Sequence, residues 1–222
     1  MTGVLQKAWW WALDYGYAVG WQMRAVVSRV DASTYASGSL RPVVVIPGIY
    51  ENWQFMRPLV EELHAAGHPV HVVAMLERND RPLAEAALAV CVYLEGTGLE
   101  HVVIVAHSKG GLIGKTVMLD PVAGRRIDSM IAVSSPFSGS RYARFLPMRA
   151  LRAFSVRDAG LLRLSAERDV NARITSVYAS FDPHIPGGSQ LPGATNIRVA
   201  TGGHFRVLAD PDARRAVLDG AR

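Results

Sequence analysis

From residue 41 onward, short β-branched runs alternate with amphipathic stretches. Val43-Val44-Val45-Ile46, bounded by Pro42 and Pro47-Gly48, has the length and composition of a buried strand. Val70 to Val73, Val102 to Ala106, Met130 to Val133, Ile174 to Ala179 and Ile197 to Ala200 repeat the pattern. Between them, Pro58 opens a helix that turns Leu59, Val60, Leu63 and Ala66 inward and stops at Gly67. Pro82 begins a longer helix with the stripe Leu83, Ala87, Val90 and Leu94, beside which Cys91 reads as a small core residue. Further helices are predicted over Gly110 to Leu119, Ala159 to Arg168 and Phe205 to Leu218. Strands separated by single helix-length spacers predict an α/β fold of about six mainly parallel strands with helices on both faces.

The first 38 residues stand apart as an aromatic-rich leader. Trp10, Leu13, Tyr17 and Trp21 recur at helical spacing within Ala8 to Met23, which predicts an N-terminal helix. Asp14 sits at the centre of this apolar stretch. A spanning helix wants about 20 apolar residues, and a central carboxylate costs roughly 2.5 to 3.5 kcal/mol on insertion. A secretory signal would need a basic start and a small-residue cleavage site, and neither is convincing here. The leader is therefore read as a helix packed on the domain core, with an aromatic face lying at a lipid interface as the second reading and a transmembrane span as the last. The expectation is a cytoplasmic protein, with peripheral membrane contact through the Trp-rich helix as the second option. Residues 39–222 form one domain, with 137–173 as a small lid or pocket-rim insertion.

Composition narrows the classes. At 222 residues, 50% hydrophobic and 19% charged, the chain can bury a real core and is not a disordered polypeptide. A single cysteine excludes an intrachain disulfide and a cysteine-based zinc site. The net charge of +5 invites a nucleic-acid reading, but its distribution opposes one. Eight arginines against Asp158, Glu167 and Asp169 lie between Pro136 and Arg173, and that segment carries the whole excess. It has neither aromatic platforms nor zinc-finger spacing, so no nucleic-acid partner is expected.

The third predicted strand ends in Val105-Ala106-His107-Ser108-Lys109-Gly110-Gly111, just before a helix. Strand, tight turn and helix form the context of a nucleophile elbow, in which the turn presents Ser108 above the sheet. A serine needs a base, and the base needs an orienting acid. Of seven histidines, only His184 and His204 follow Ser108. His204, in Gly202-Gly203-His204-Phe205, lies between the last strand and last helix and is the expected base. Asp182, directly after the strand Ile174 to Ala179, is the expected acid. Its rivals Asp158 and Asp169 sit in the arginine-rich segment, and His184 lies too close to Asp182 to be placed independently. An oxyanion hole needs two N–H donors. The amides of Lys109 and of Ile49, in the loop after the first strand, are the expected pair.

With Ser108, Asp182 and His204 in this order, the chain resembles the α/β-hydrolase superfamily, especially its small bacterial serine lipases and esterases. Ala106-His107-Ser108-Lys109-Gly110-Gly111 is similar to the Ala-His-Ser-x-Gly-Gly elbow of minimal lipases. Pro47-Gly48-Ile49 is similar to their His-Gly-Ile loop, and Gly202-Gly203-His204-Phe205 to their Gly-His-x-x-Leu ending. Val133 to Ser140 resembles their Thr-Pro-His-x-Gly-Ser stretch. The resemblance covers roughly residues 41 to 210 and leaves the leader out. Pro47 and Phe137 stand where those enzymes carry histidine, which argues against a triacylglycerol substrate. Lys109 stands where Met or Gln is common, its ammonium directed either at an anionic acyl group or to solvent.

The resemblance implies acyl transfer through Ser108, with a small-molecule or lipid ester as substrate and no metal or organic cofactor. Tyr50, Phe137, Tyr142, Phe145 and Phe154 are the expected pocket lining. The same machinery would serve an acyltransferase or thioesterase. A non-catalytic hydrolase-fold binder of apolar ligands is the remaining alternative.

Overall fold

The computed structural model describes residues 3–28, 30–143 and 154–222. Six parallel strands form one sheet in the order β2-β1-β3-β4-β5-β6, with β1 Val43–Ile46, β2 Val70–Val72, β3 Val102–His107, β4 Ile127–Val133, β5 Ile174–Phe181 and β6 Thr195–Gly202. The central strands are apolar at successive positions because the sheet is covered twice. Val44, Ile46, Ile104, Ala106, Met130 and Ala132 face α3 (Leu83–Thr97), α4 (Lys109–Met118) and α5 (Ala159–Ala166). Val43, Val45, Val103, Val105, Ile131 and Val133 face the other layer, built from α2 (Arg57–Ala65) and α6 (Pro211–Ala221). Neighbouring residues thus point to opposite cores, the period of two that a pleated strand imposes.

Three elements depart from expectation. β4 begins at Ile127, because Asp128 and Ser129 are only partly buried and hide the strand from an apolar-run reading. β6 is an edge strand whose first four residues stay largely open, so Thr195 and Asn196 can belong to it. The expected helix from Phe205 to Leu218 is two elements, a 3-10 turn over Arg206–Ala209 and then α6. Asp210 separates them. Its carboxylate accepts the Asp212 and Ala213 N–H groups, and Pro211 starts the new helix at its first position.

Helix α1 (Val4–Val27) covers the second core layer. Tyr17, Ala18 and Trp21 pack against it, and Trp10 stacks on Phe181 at 6.2 Å between ring centroids. A Cβ on Gly202 would lie 2.2 Å from the Trp10 ring, so the indole rests directly on the backbone where β6 ends. The opposite face exposes Val4, Leu5, Trp9, Val19, Met23 and Val27. Among the described residues, no helix is long and apolar enough to cross a membrane.

Candidate active site

The site is assembled at the carboxyl ends of β1, β3, β5 and β6. Ser108, between β3 and α4, has φ +50° and ψ −118°, a region that side-chain-bearing residues rarely occupy. The following residues make this turn sterically feasible. A Cβ on Gly110 would lie 2.2 Å from the Ile46 carbonyl oxygen, and one on Gly111 would lie 2.0 Å from Ser135 Oγ. Only glycines let the first turn of α4 lie so close to β1 and to the end of β4.

Three of the expected residues meet here. The Ser108 hydroxyl donates to His204 Nε2 at 2.9 Å, and His204 Nδ1–H donates to Asp182 Oδ2 at 2.8 Å. All three side chains are buried. The other Asp182 oxygen accepts the N–H groups of His184 and Ile185, which fixes the carboxylate. Burial works against its charge, but the neighbouring imidazole and these donors outweigh it and hold the Asp182 pKa below the usual carboxylate value. Burial likewise opposes charge on His204, yet Asp182 prevails and raises the imidazole pKa. His184, whose ring lies 4.8 Å from that of His204, is pushed down to about 4, mainly by burial, and stays neutral near neutrality.

The rival acids are placed elsewhere. Asp158 caps α5 by accepting the Leu161 N–H, and Asp169 follows that helix in the chain. Ile49 lines the cavity over Ser108, and Lys109 is the first residue of α4, so both expected oxyanion amides belong to segments flanking the serine. The expectation for the Lys109 side chain is corrected. It is 3% exposed and donates to the carbonyls of Asn79, at 2.8 Å, and Arg81. It therefore reaches neither solvent nor the cavity. Its stem is long enough to cross to the loop after β2, and burial pushes its pKa down to about 8.

Two side chains that the sequence did not mark organise the loop after β1. Glu51, 2% exposed, accepts the Gly48 N–H at 2.8 Å, and His107 Nδ1–H donates to the same carboxylate at 2.9 Å. His107 Nε2 lies 3.0 Å from the His204 carbonyl oxygen. Asn79 donates to the Pro47 carbonyl at 2.7 Å, so the loop after β2 is tied to the loop after β1. The only sequence signal was a charged residue inside a loop with strand-end glycine chemistry.

A cavity of about 450 Å³ opens over Ser108 and His204. Tyr50, Tyr142 and Phe154 line it, together with Trp11 and Tyr15 from α1 and Phe205. Phe137 does not line it. It is 3% exposed and belongs to the core layer that includes Leu161. Phe145 lies outside the described residues. Among the described residues, no group of three or more His, Cys, Asp or Glu side chains is arranged to hold a metal ion.

No family model matches the chain, and no curated protein sequence matches it. Solved structures do. A monoacylglycerol lipase from Paleococcus ferrophilus matches with a TM-score of 0.59 at 18% identity, over 81% of this chain and 95% of its own. Lipase B of Aspergillus fumigatus matches with a TM-score of 0.65 at 17% identity, over 83% of this chain and 53% of its own. A Bacillus licheniformis lipase in mature form matches with a TM-score of 0.57 at 15% identity, over 78% and 87%. The all-parallel six-stranded sheet with helices on both faces is that of the α/β-hydrolase fold.

Proposed function

We propose that the chain is a serine carboxylic-ester hydrolase of the esterase or lipase type. The observation that carries this is the relay of Ser108, His204 and Asp182, bonded at 2.9 and 2.8 Å at the floor of an apolar cavity. Ser108 Oγ attacks the ester carbonyl carbon while its proton passes to His204 Nε2. The oxyanion that forms is held by the amides of Ile49 and Lys109. Collapse of this tetrahedral species breaks the bond to the alkoxy oxygen, which leaves as the alcohol with the proton from His204. Water then gives a proton to His204 and attacks the acyl-enzyme, and the acid departs as Ser108 regains its hydrogen. Asp182 remains ionised and keeps His204 Nε2 free to accept.

An acyltransferase or thioesterase would share every step except the identity of the acceptor or leaving atom. Turnover of p-nitrophenyl esters from two to sixteen carbons, by the wild type and Ser108→Ala, tests the reading. Hydrolysis abolished by the substitution is expected; an unchanged rate removes Ser108 from the chemistry.

The substrate reaches the cavity beside the outer face of α1. Trp11 and Tyr15 line the cavity while remaining 53% and 43% exposed, and Trp9, Val19 and Met23 extend the apolar surface. Such a face suits a lipid surface, where aromatic rings settle at headgroup depth. Liposome flotation of the combined variant Trp9→Ser, Val19→Ser and Met23→Ser tests this. Loss of binding is expected, and equal binding contradicts it.

A further inference from the structure

Helix α1 lies outside the region that resembles known hydrolases, yet it touches both loops that frame the serine. Asp14, fully buried near the middle of the helix, accepts three consecutive backbone N–H groups. The Asp14 Oδ2 atom takes that of His204 at 2.9 Å, and Oδ1 takes those of Phe205 and Arg206 at 2.8 Å each. These are donors at the start of the 3-10 turn Arg206–Ala209, whose first amides lack partners of their own. The fit is tight, since a Cβ on Gly203 would lie 2.4 Å from Asp14 Oδ1 and the residue has φ +123°. Two turns further along α1, Gln22 Nε2 donates to the Tyr50 carbonyl at 3.0 Å, in the loop that carries Ile49.

The other side of His204 is held as well. Its carbonyl oxygen lies 3.0 Å from His107 Nε2, so the peptide units flanking the imidazole are contacted in front by Asp14 and behind by His107. An acid at the centre of an apolar helix has no reason to be buried unless its oxygens are occupied. Here they are occupied by the loop of the base.

We propose that Asp14 is a positioning residue for His204, and that α1 is thereby part of the active site, with Gln22 steadying the loop of Ile49. The inference rests on the proposed role of His204 as base. Asp14 touches no substrate; it acts through the backbone that aims the imidazole. The charged and titratable groups facing His204 are Asp182 and His184 from the loop after β5, His107 from β3, Glu51 from the loop after β1, and Asp14 from α1. Among these, the Asp14 charge favours protonated His204, so its loss lowers the imidazole pKa.

The test compares wild type, Asp14→Asn and Asp14→Ala with p-nitrophenyl butyrate, and follows the low-field proton on His204 Nδ1 by NMR. The expected kcat loss is about 100-fold for Asp14→Ala, the scale of a misplaced reacting group, with KM little changed. Asp14→Asn, which keeps one acceptor, loses less. In both variants the acidic limb of kcat/KM moves to lower pH, and in Asp14→Ala the low-field resonance disappears. Folded variants with kcat and limb as in the wild type overturn the proposal. Loss of native circular dichroism in both variants also overturns it, by making Asp14 a folding determinant alone. Absence of wild-type turnover counts against the ester-hydrolase reading instead. The resonance, present in wild type and lost in Asp14→Ala, still supports positioning in that case, and its retention in Asp14→Ala refutes it.

Discussion

His107 Nδ1 and Glu51 Oε2 lie 2.9 Å apart, both side chains almost wholly shielded from water, in the residue immediately before the serine and in the loop that faces it. The pair binds the two halves of the site, because Glu51 also holds the Gly48 amide and His107 also holds the His204 carbonyl. Removing one partner strands the other in a dry interior. Glu51→Ala, which leaves the Gly48 N–H and the His107 ring nitrogen without their partner, is therefore expected to lower stability by about 2 to 5 kcal/mol, about 1 to 3 for each stranded buried polar group. Urea denaturation measures it, and a loss below about 1 kcal/mol would mean that the pair is dispensable.

The pH profile follows from the Asp182–His204 contact. Burial alone would lower the imidazole pKa, but Asp182 raises it above its ordinary value of 6.5. The base works only when unprotonated, so ester turnover falls as pH drops through that raised value. The acidic limb of kcat/KM is expected above pH 6.5, because it reports the free enzyme. Asp182→Asn removes the raising charge and the correct tautomer together, with kcat falling by about 10⁴-fold as in the serine-protease precedent. An acidic limb unmoved in Asp182→Asn contradicts the assignment.

Lys115, on α4, is 1% exposed, and its ammonium has no hydrogen-bond partner among the described residues. Burial pushes its pKa down to about 8 from 10.5. Between those values the unfolded chain holds a proton that the folded chain has released, so this group makes stability rise with pH across that window. Lys115→Met, similar in shape and without charge, is expected to stabilise the protein at pH 7 by about 1 to 3 kcal/mol. It also flattens the rise between pH 8 and 10.5. Unfolding midpoints at pH 7 and pH 10 check both, and a destabilised variant would show that the amine is better accommodated than its surroundings indicate.

Phe154 lines the cavity over Ser108 and also a second one, of about 460 Å³, walled by Leu83, Leu112 and Leu161. Phe154 thus borders both spaces, the second of which is also lined by Lys109, Arg81 and Asp158. Phe154→Ala is expected to join them and to shift the preferred acyl chain toward greater length. Profiling with p-nitrophenyl esters reads the shift, and an identical chain-length optimum would place the acyl group elsewhere.

The strands and Ser108 were legible because their signals are local: apolar runs end at glycine or proline, and the elbow motif closes one of them. His204 and Asp182 were legible by their order after the serine and their places beyond late strands. Asp14 was not. Read along the chain it is a charge interrupting an apolar helix, and its partners are backbone amides some 190 positions away that carry no side-chain signature. Lys109 misled for a related reason: its stem crosses to carbonyls of a loop about 30 residues earlier, and a backbone acceptor leaves no mark in a sequence. Phe137 stands at the head of the segment expected to form a lid or pocket rim, whereas the structure buries it in the core. Glu51 and His107 each sat inside a recognised motif, but nothing local pairs a carboxylate with an imidazole 56 residues apart.

Covalent trapping tests the central claim most directly. A fluorophosphonate ester, added to the intact protein and followed by intact-mass and peptide mapping, is predicted to leave one phosphonyl group on the peptide containing Ser108 and none on Ser108→Ala. An adduct on any other residue, or an unlabelled wild type that still hydrolyses esters, would contradict the account.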